Sequence, residues 1–393
     1  MKPLLEGIRV VDFGRYIAGP YCAALLADHG ADVIRVERRE GGEDRAIPNL
    51  AKTGEGGLFL QMNRGKRCLT LDLAHREARG IIRRLAETAD VVVVNLPPPT
   101  LAKLGLDWET LSAVNPRLVM VLGTAYGSSG PYAERPGFDA VGQAMSGAMY
   151  LSGDDTRPAR SSSNYVDFTT ALALANGALA ALWAREKTGR GQKVEGSLLR
   201  SALVAMNAVL IEQAILGNDR PALGNRGFLA APADTYRTRD GWVLVQTLGK
   251  PMFDRWCDLV GQPELKDDPG LATDPQRGAR GAEISAIMAA WCATRTRSEV
   301  LAALDAARLP AAPVYTPRET LADPHVVATG LLGAMTFGGL EGSFPLAPHP
   351  VEMSASPVQQ GEAPRLGEHT DVVLAELGYD AAAIAALRAN RVI

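Results

Sequence analysis

The chain has 393 residues, 22% of them charged and 47% hydrophobic, with a formal net charge of -3. That length predicts more than one hydrophobic core, and the near-even charge balance leaves no basic footprint for a nucleic-acid partner. Cys22, Cys68, Cys257 and Cys292 form no C-x-x-C pair, and the five histidines share no metal-ligand spacing. Reduced thiols in a cytoplasm, and no metal, are the expectation. The opening MKPLLEGIRVVDF lacks a cleavable apolar leader, and no run approaches the roughly 20 uninterrupted apolar residues of a bilayer span, so no membrane partner is expected.

In chain order, IRVVDF (8–13) is a short β-branched run suited to a buried strand. The segment after it carries Tyr21, Ala24, Leu25 and Asp28 at helical spacing and closes at Gly30, and Val33 to Glu37 supplies a second strand. Strand, helix and strand in this space predict a βαβ unit with parallel pairing and a right-handed crossover. CLTLDL, an amphipathic helix with Ile81, Ile82 and Leu85 on one face, ADVVVVNL ending near Asn95, a helix around 101–114, and RLVMVLGTA repeat the pattern. The first ~130 residues read as a Rossmann-like, doubly wound open parallel sheet. Helices are predicted over 140–150, 167–186 and 197–216. ADTYRTRDGWVLVQTL, with Asp240-Gly241 between two strand-like runs, signals a hairpin. Helices over 251–260 and 282–306 follow, then a Pro-rich return over 344–365 and a helical end over 370–390. The expected organisation is a large α/β domain over 1–216, a smaller α+β domain over 225–320, and a return over 321–393 that completes the large one.

A dinucleotide site would need G-x-G-x-x-G after the first strand. Gly14 and Gly19 have the wrong spacing, which weighs against a nicotinamide-dependent oxidoreductase, and no Walker loop or G-x-S-x-G elbow is present. Arg15, Arg38, Arg39, Lys66 and Arg67 fall near the ends of the early strands. There they would suit a phosphorylated ligand, or be solvated loop charges. Lys66 and Arg67 precede their strand and would need a loop to reach such a ligand. Asp167 stands directly before a long uncharged run. It is either a first-turn acid favoured by the helix dipole or a nucleophilic carboxylate held out of water, and composition does not choose.

Several ordered strings bear on that choice: LEGIRVVDFGRYIAGPYCAALLADHGADVIRVER, NRGKRCLTLDL, GLDWETLSAVNPRLV, GFDAVGQAMSG, KTGRGQKVEGSLL and LGEHTDVVLAELG. In order and spacing they resemble the class III CoA transferase family, nearly end to end. The resemblance implies that Asp167 is the nucleophile, and that Tyr16, Ile17, Arg38, Leu71, Asn95, Leu96 and Lys103 contact coenzyme A, with Lys66 and Arg67 in the adjoining basic block. It implies a transfer of CoA from an acyl-CoA to a carboxylic acid, through an aspartyl mixed anhydride and an aspartyl-CoA thioester. CoA is then a substrate, with no tightly bound cofactor, and the fold is an interlocked, ring-like homodimer. The racemases on this scaffold carry a His before the acid matching Asp139. Phe138 stands there and cannot move a proton, which favours transfer over racemisation or epimerisation. A scaffold that binds CoA without catalysis is the remaining alternative. The glycine-rich lid of formyl-CoA transferases is reduced to Gly224 and Gly227 in GNRGFLAAP, which puts oxalate as acceptor in doubt.

Overall fold

The computed structural model describes residues 3–48, 50, 54–337 and 340–393. The sequence reading sets domain limits at 216 and 320. The compact units run Met1–Ala148, Ser161–Ala214 and Leu331–Ile393 for the larger, and Met149–Arg160 and Ile215–Gly330 for the smaller.

The larger unit alternates strands and helices: β1 (Arg9–Asp12), α1 (Ala18–Asp28), β2 (Asp32–Glu37), α2 (Gly57–Met62), β3 (Lys66–Thr70), α3 (Ala78–Thr88), β4 (Val91–Val94), α4 (Pro98–Leu104), α5 (Trp108–Val114) and β5 (Val119–Thr124). Then come α6 (Asp139–Met145), α7 (Ala148–Leu151), α8 (Tyr165–Thr188), β6 (Lys193–Ser197) and α9 (Leu198–Leu216), with all of α7 after Ala148 and the last two residues of α9 counted in the smaller unit. The six strands form one sheet in the order β3-β2-β1-β4-β5-β6, every pair parallel. This is the doubly wound arrangement the sequence predicts, and its order reverses between β1 and β4. Strands buried on both faces should read as continuous apolar runs. VVVV of β4 does, with every residue buried. On one face Ile81, Ile82 and Leu85 of α3 pack with Val373, Leu374, Ile384 and Leu387 of the chain end. On the other, α1 packs with Ala171, Leu174 and Ala178 of α8.

Two findings differ from the sequence reading. β3 begins at Lys66, so Lys66 and Arg67 are strand residues rather than loop residues. Between the helices predicted over 167–186 and 197–216 the sequence reading places no strand, yet β6 lies there. KVEGS is an edge strand, mostly half-exposed, and has no apolar run to announce it. α8 and α9 are both long and apolar enough, by length and composition, to cross a bilayer. Half of the apolar stretch of α8 is buried within the fold, but only 11% of that of α9.

The smaller unit holds the predicted hairpin, β7 (Ala233–Arg237) paired antiparallel with β8 (Trp242–Gln246), which pairs with β9 (Ala311–Pro313). Thr238 donates to the Gly241 carbonyl across the turn at 2.9 Å. Phe253, Trp256, Ile284, Met288, Val300 and Leu304 from its helices close the core over Val243 and Val245.

Candidate active site

The first turn after β1 is held by buried charge. Asp12 is fully buried; its Oδ1 accepts the Gly14 N–H at 2.7 Å and its Oδ2 meets Lys66 Nζ at 2.7 Å. Lys66 also donates to the Pro20 carbonyl at 2.8 Å and to Asn63 Oδ1 at 3.0 Å. A side chain on Gly14 would lie 2.7 Å from Asp12 Oδ1 and 2.8 Å from the Pro20 ring, so only glycine fits there. Arg35, also fully buried, binds Asn63 at 3.0 Å and both oxygens of Asp44 at 3.0 Å. Asp44 Oδ2 accepts the N–H of Tyr16 at 3.0 Å. Tyr16 needs that support, because its φ of 61° is the left-handed region that non-glycine residues enter at a cost. Asn95, just past β4, brackets the same turn: Oδ1 accepts the Arg15 N–H at 2.8 Å and Nδ2 donates to the Arg15 carbonyl at 2.7 Å.

This turn forms one wall of a cavity of about 230 Å³ at the carboxyl ends of β1, β4 and β5. Ligands of open parallel sheets bind at such a reversal of strand order. Its polar lining comes from Arg15, Tyr16, Asn95, Thr124, Arg135 and Asp167. The Phe138 ring meets Tyr16 edge-on at 5.4 Å beside it.

Asp167 sits in the first turn of α8, the position the dipole reading foresaw. The capping, however, is done from another helix. Asp139, buried at the start of α6, accepts the N–H groups of Val166 at 2.8 Å and Asp167 at 3.1 Å through Oδ2. Gln143, one turn on, donates to Asp139 Oδ1 and accepts the Ser161 N–H at 3.0 Å. The helix-end donors are therefore spent on Asp139, and the Asp167 carboxyl has no hydrogen-bond partner among the described residues. Burial, and then the neighbouring Asp139 charge, push its pKa up to about 7. An acid with no partner, kept partly dry and titrating near neutrality, is what a reactive carboxylate requires.

Of the residues expected to contact a ligand, Tyr16, Asn95, Leu96 and Asp167 line this one cavity. Ile17 and Leu71 are buried at 3% and 0% exposure in the two core clusters, so only their backbones could face a ligand. Arg38 is exposed after β2 with Nη2 2.7 Å from Glu43, and Lys103 is exposed on α4. Lys66 and Arg67 require correction. Lys66 is consumed by Asp12, and burial, opposed by Asp12, lowers its pKa to about 8. Arg67 binds Asp32 at 2.6 Å and Glu376 at 2.7 Å; Asp32 is the first residue of β2, at the amino end of the sheet. Being strand residues, their side chains answer to the sheet rather than to a loop. Sequence reasoning named Asp139 only as the family's acid next to Phe138 and missed its hold on Asp167, and it missed Gln143 and Asp44 altogether. The i, i+4 spacing of Asp139 and Gln143 was the available signal for that pair.

Fold and site together define a doubly wound α/β protein with an unpartnered acid at the switch point of its sheet. Residues 5–370 match the model of CoA-transferase family III. A succinyl-CoA–D-citramalate CoA-transferase of Chloroflexus aurantiacus is 34% identical over 99% of this chain and 98% of its own. The beta subunit of a succinyl-CoA–L-malate CoA-transferase from the same organism is 36% identical over 99% and 98%. A succinate–glutarate CoA-transferase of Agrobacterium fabrum is 34% identical over 96% of each. Among solved structures, a CAIB/BAIF family protein from Brucella suis superposes with a TM-score of 0.84 at 32% identity, covering 96% of this chain and all of the other. The chain belongs to CoA-transferase family III, the class III CoA transferases.

Proposed function

We propose that this enzyme passes coenzyme A from an acyl-CoA to a free carboxylic acid through covalent intermediates on Asp167. An Asp167 oxygen attacks the thioester carbonyl carbon, the C–S bond breaks, and CoA leaves as thiolate with the electron pair, giving a mixed anhydride. The thiolate attacks the aspartyl carbonyl carbon, releasing the donor acid as carboxylate and leaving an aspartyl-CoA thioester. The acceptor carboxylate attacks that thioester to form a second anhydride, and the thiolate takes the acceptor's acyl carbon and frees Asp167. No water enters, and the cycle needs no net proton. The observation that carries this reading is the partly buried Asp167 carboxyl with no hydrogen-bond partner, beside a cavity at the switch point.

Tyr16, Asn95 and Leu96 would hold the thioester end of CoA, with Arg38, Lys103 and the backbones of Ile17 and Leu71 along its remaining length. The three relatives described above are named for succinyl-CoA, succinate and other dicarboxylic acids, so succinyl-CoA is the first donor to assay. Phe138 stands against a racemase reading, since its ring cannot move a proton. We also propose an interlocked homodimer, supported by the apolar surface that α9 exposes at Val204, Ile211, Ile215 and Leu216.

Trapping tests the chemistry. After incubation with succinyl-CoA, hydroxylamine should convert Asp167 to its hydroxamate, and borohydride should reduce the same side chain. Peptide mass spectrometry that finds the modification on another residue ends the proposal.

A further inference from the structure

The polar side chains lining the Asp167 cavity can be told apart by what each already does. Both amide atoms of Asn95 are committed to the Arg15 backbone. Thr124 Oγ1 accepts the Gly127 N–H at 2.8 Å. The Arg15 guanidinium faces Glu43 at 3.3 Å. The Thr124 hydroxyl keeps its own proton to donate and Arg15 keeps the N–H groups that do not meet Glu43, but of the two lining guanidinium groups only that of Arg135, which is exposed, has no ion pair among the described residues.

Arg135 is nevertheless held. Its guanidinium carbon lies 4.0 Å from the Tyr132 ring centroid, and that ring in turn meets Tyr126 edge-on at 5.7 Å. Stacking orients the planar group without using any of its N–H donors. An oriented, unspent guanidinium sharing a small cavity with a reactive carboxylate is a receptor for one more anion.

We propose that Arg135 binds a second carboxylate on the acyl group, so that the acids exchanged are dicarboxylic: the near carboxyl reacts at Asp167 and the far one pairs with Arg135. This rests on Asp167 being the nucleophile. A CoA phosphate is the competing anion. The whole pantetheine arm separates the CoA phosphates from the sulfur, and a cavity of about 230 Å³ is smaller than the roughly 300–1,000 Å³ that encloses drug-sized ligands. A short acyl chain fits that space, with Leu96 and Phe138 beside its methylenes.

The experiment compares kcat/KM for succinyl-CoA and butyryl-CoA, which match in carbon number and differ in the far carboxylate. Wild-type enzyme should prefer succinyl-CoA, and Arg135→Gln should lower the succinyl-to-butyryl ratio by about 10- to 100-fold, the effect of one lost charge-assisted pair. Arg135→Lys should restore part of the ratio. A ratio unchanged in Arg135→Gln, with both donors weakened alike, assigns Arg135 to CoA and overturns the proposal, as does a wild-type enzyme without the preference. If neither donor transfers at all, the Asp167 reading is what fails. Calorimetric titration of wild-type and Arg135→Gln protein with succinate and butyrate then decides the Arg135 assignment by itself. Tighter succinate binding that depends on Arg135 supports it, and equal binding of the two acids rejects it. Circular dichroism and the unfolding midpoint establish that the variant is folded. Should it not be, Arg135→Lys and the wild-type preference carry the decision.

Discussion

Two clusters of charge lie close together in this fold and behave in opposite ways. Beneath the Gly14–Pro20 turn, Asp12, Lys66, Arg35 and Asp44 are almost fully buried, and each has an oppositely charged partner within hydrogen-bond distance. Around the cavity, Asp167 is half-buried and Arg135 is exposed, and neither has a charged partner among the described residues. Charges that are paired and dry serve architecture: they cost desolvation and return geometry, here the left-handed Tyr16 and the bracketed Arg15. Charges left unpaired at a cavity are available for chemistry. Counting cations near strand ends, as the sequence reading did, cannot separate the two, because the difference lies in the partners.

The sharpest way to break the contrast is Asp167→Ala. It should bind CoA and fold normally while transfer falls by roughly 10³-fold or more, as expected when a group acting in every covalent step is removed. Near-normal turnover would return Asp167 to the role of a helix-turn acid. In the paired cluster the effect should fall on stability. Lys66→Met leaves Asp12 buried without its cation and should cost about 3–5 kcal/mol by urea denaturation, much of it recovered in Lys66→Met/Asp12→Asn. A small loss in the single variant would mean that the pair is not dry.

The pH profile sharpens the other side. In the proposed cycle only the ionised Asp167 attacks, and its pKa is raised to about 7, so kcat/KM should fall tenfold per unit below about pH 7 and level off above it. Removing the neighbouring charge with Asp139→Asn should move that inflection to lower pH; a shift upward would contradict the stated cause. For stability the sign reverses. The folded chain holds this proton more firmly than the unfolded one, so stability falls as pH rises from about 4 to 7. Asp167→Asn should therefore raise the unfolding midpoint at pH 8, and the gain should shrink as pH is lowered toward 4. The smallest effect is expected at Arg38, which is exposed and shared with Glu43. Arg38→Ala should raise the KM for acyl-CoA about two- to fivefold, in line with an exposed charge contact.

Much of the large sheet could be read in the sequence because β4 and β5 bury both faces with apolar runs, and β1 and β2 keep β-branched residues around their buried Asp12, Arg35 and Glu37. β6 could not, since an edge strand half in water needs no such run. Asp167 stood out by its place before an uncharged helix, and the family resemblance pointed to it. Its controlling partner Asp139 did not stand out, being 28 residues earlier on another helix. Lys66 and Arg67 were misplaced for a related reason. A basic pair beside a glycine resembles a ligand loop until their carboxylate partners, Asp12, Asp32 and Glu376, are located.

Because Asp139 grips the backbone N–H of Asp167 itself, the proposed nucleophile keeps only its two side-chain torsions as freedom. In the proposed cycle that acid first attacks through oxygen and is then attacked at carbon by sulfur. The swivel between these events must therefore belong to the visitor: a tethered thiol that drifts a bond length or two between neighbouring carbonyls while its host holds still.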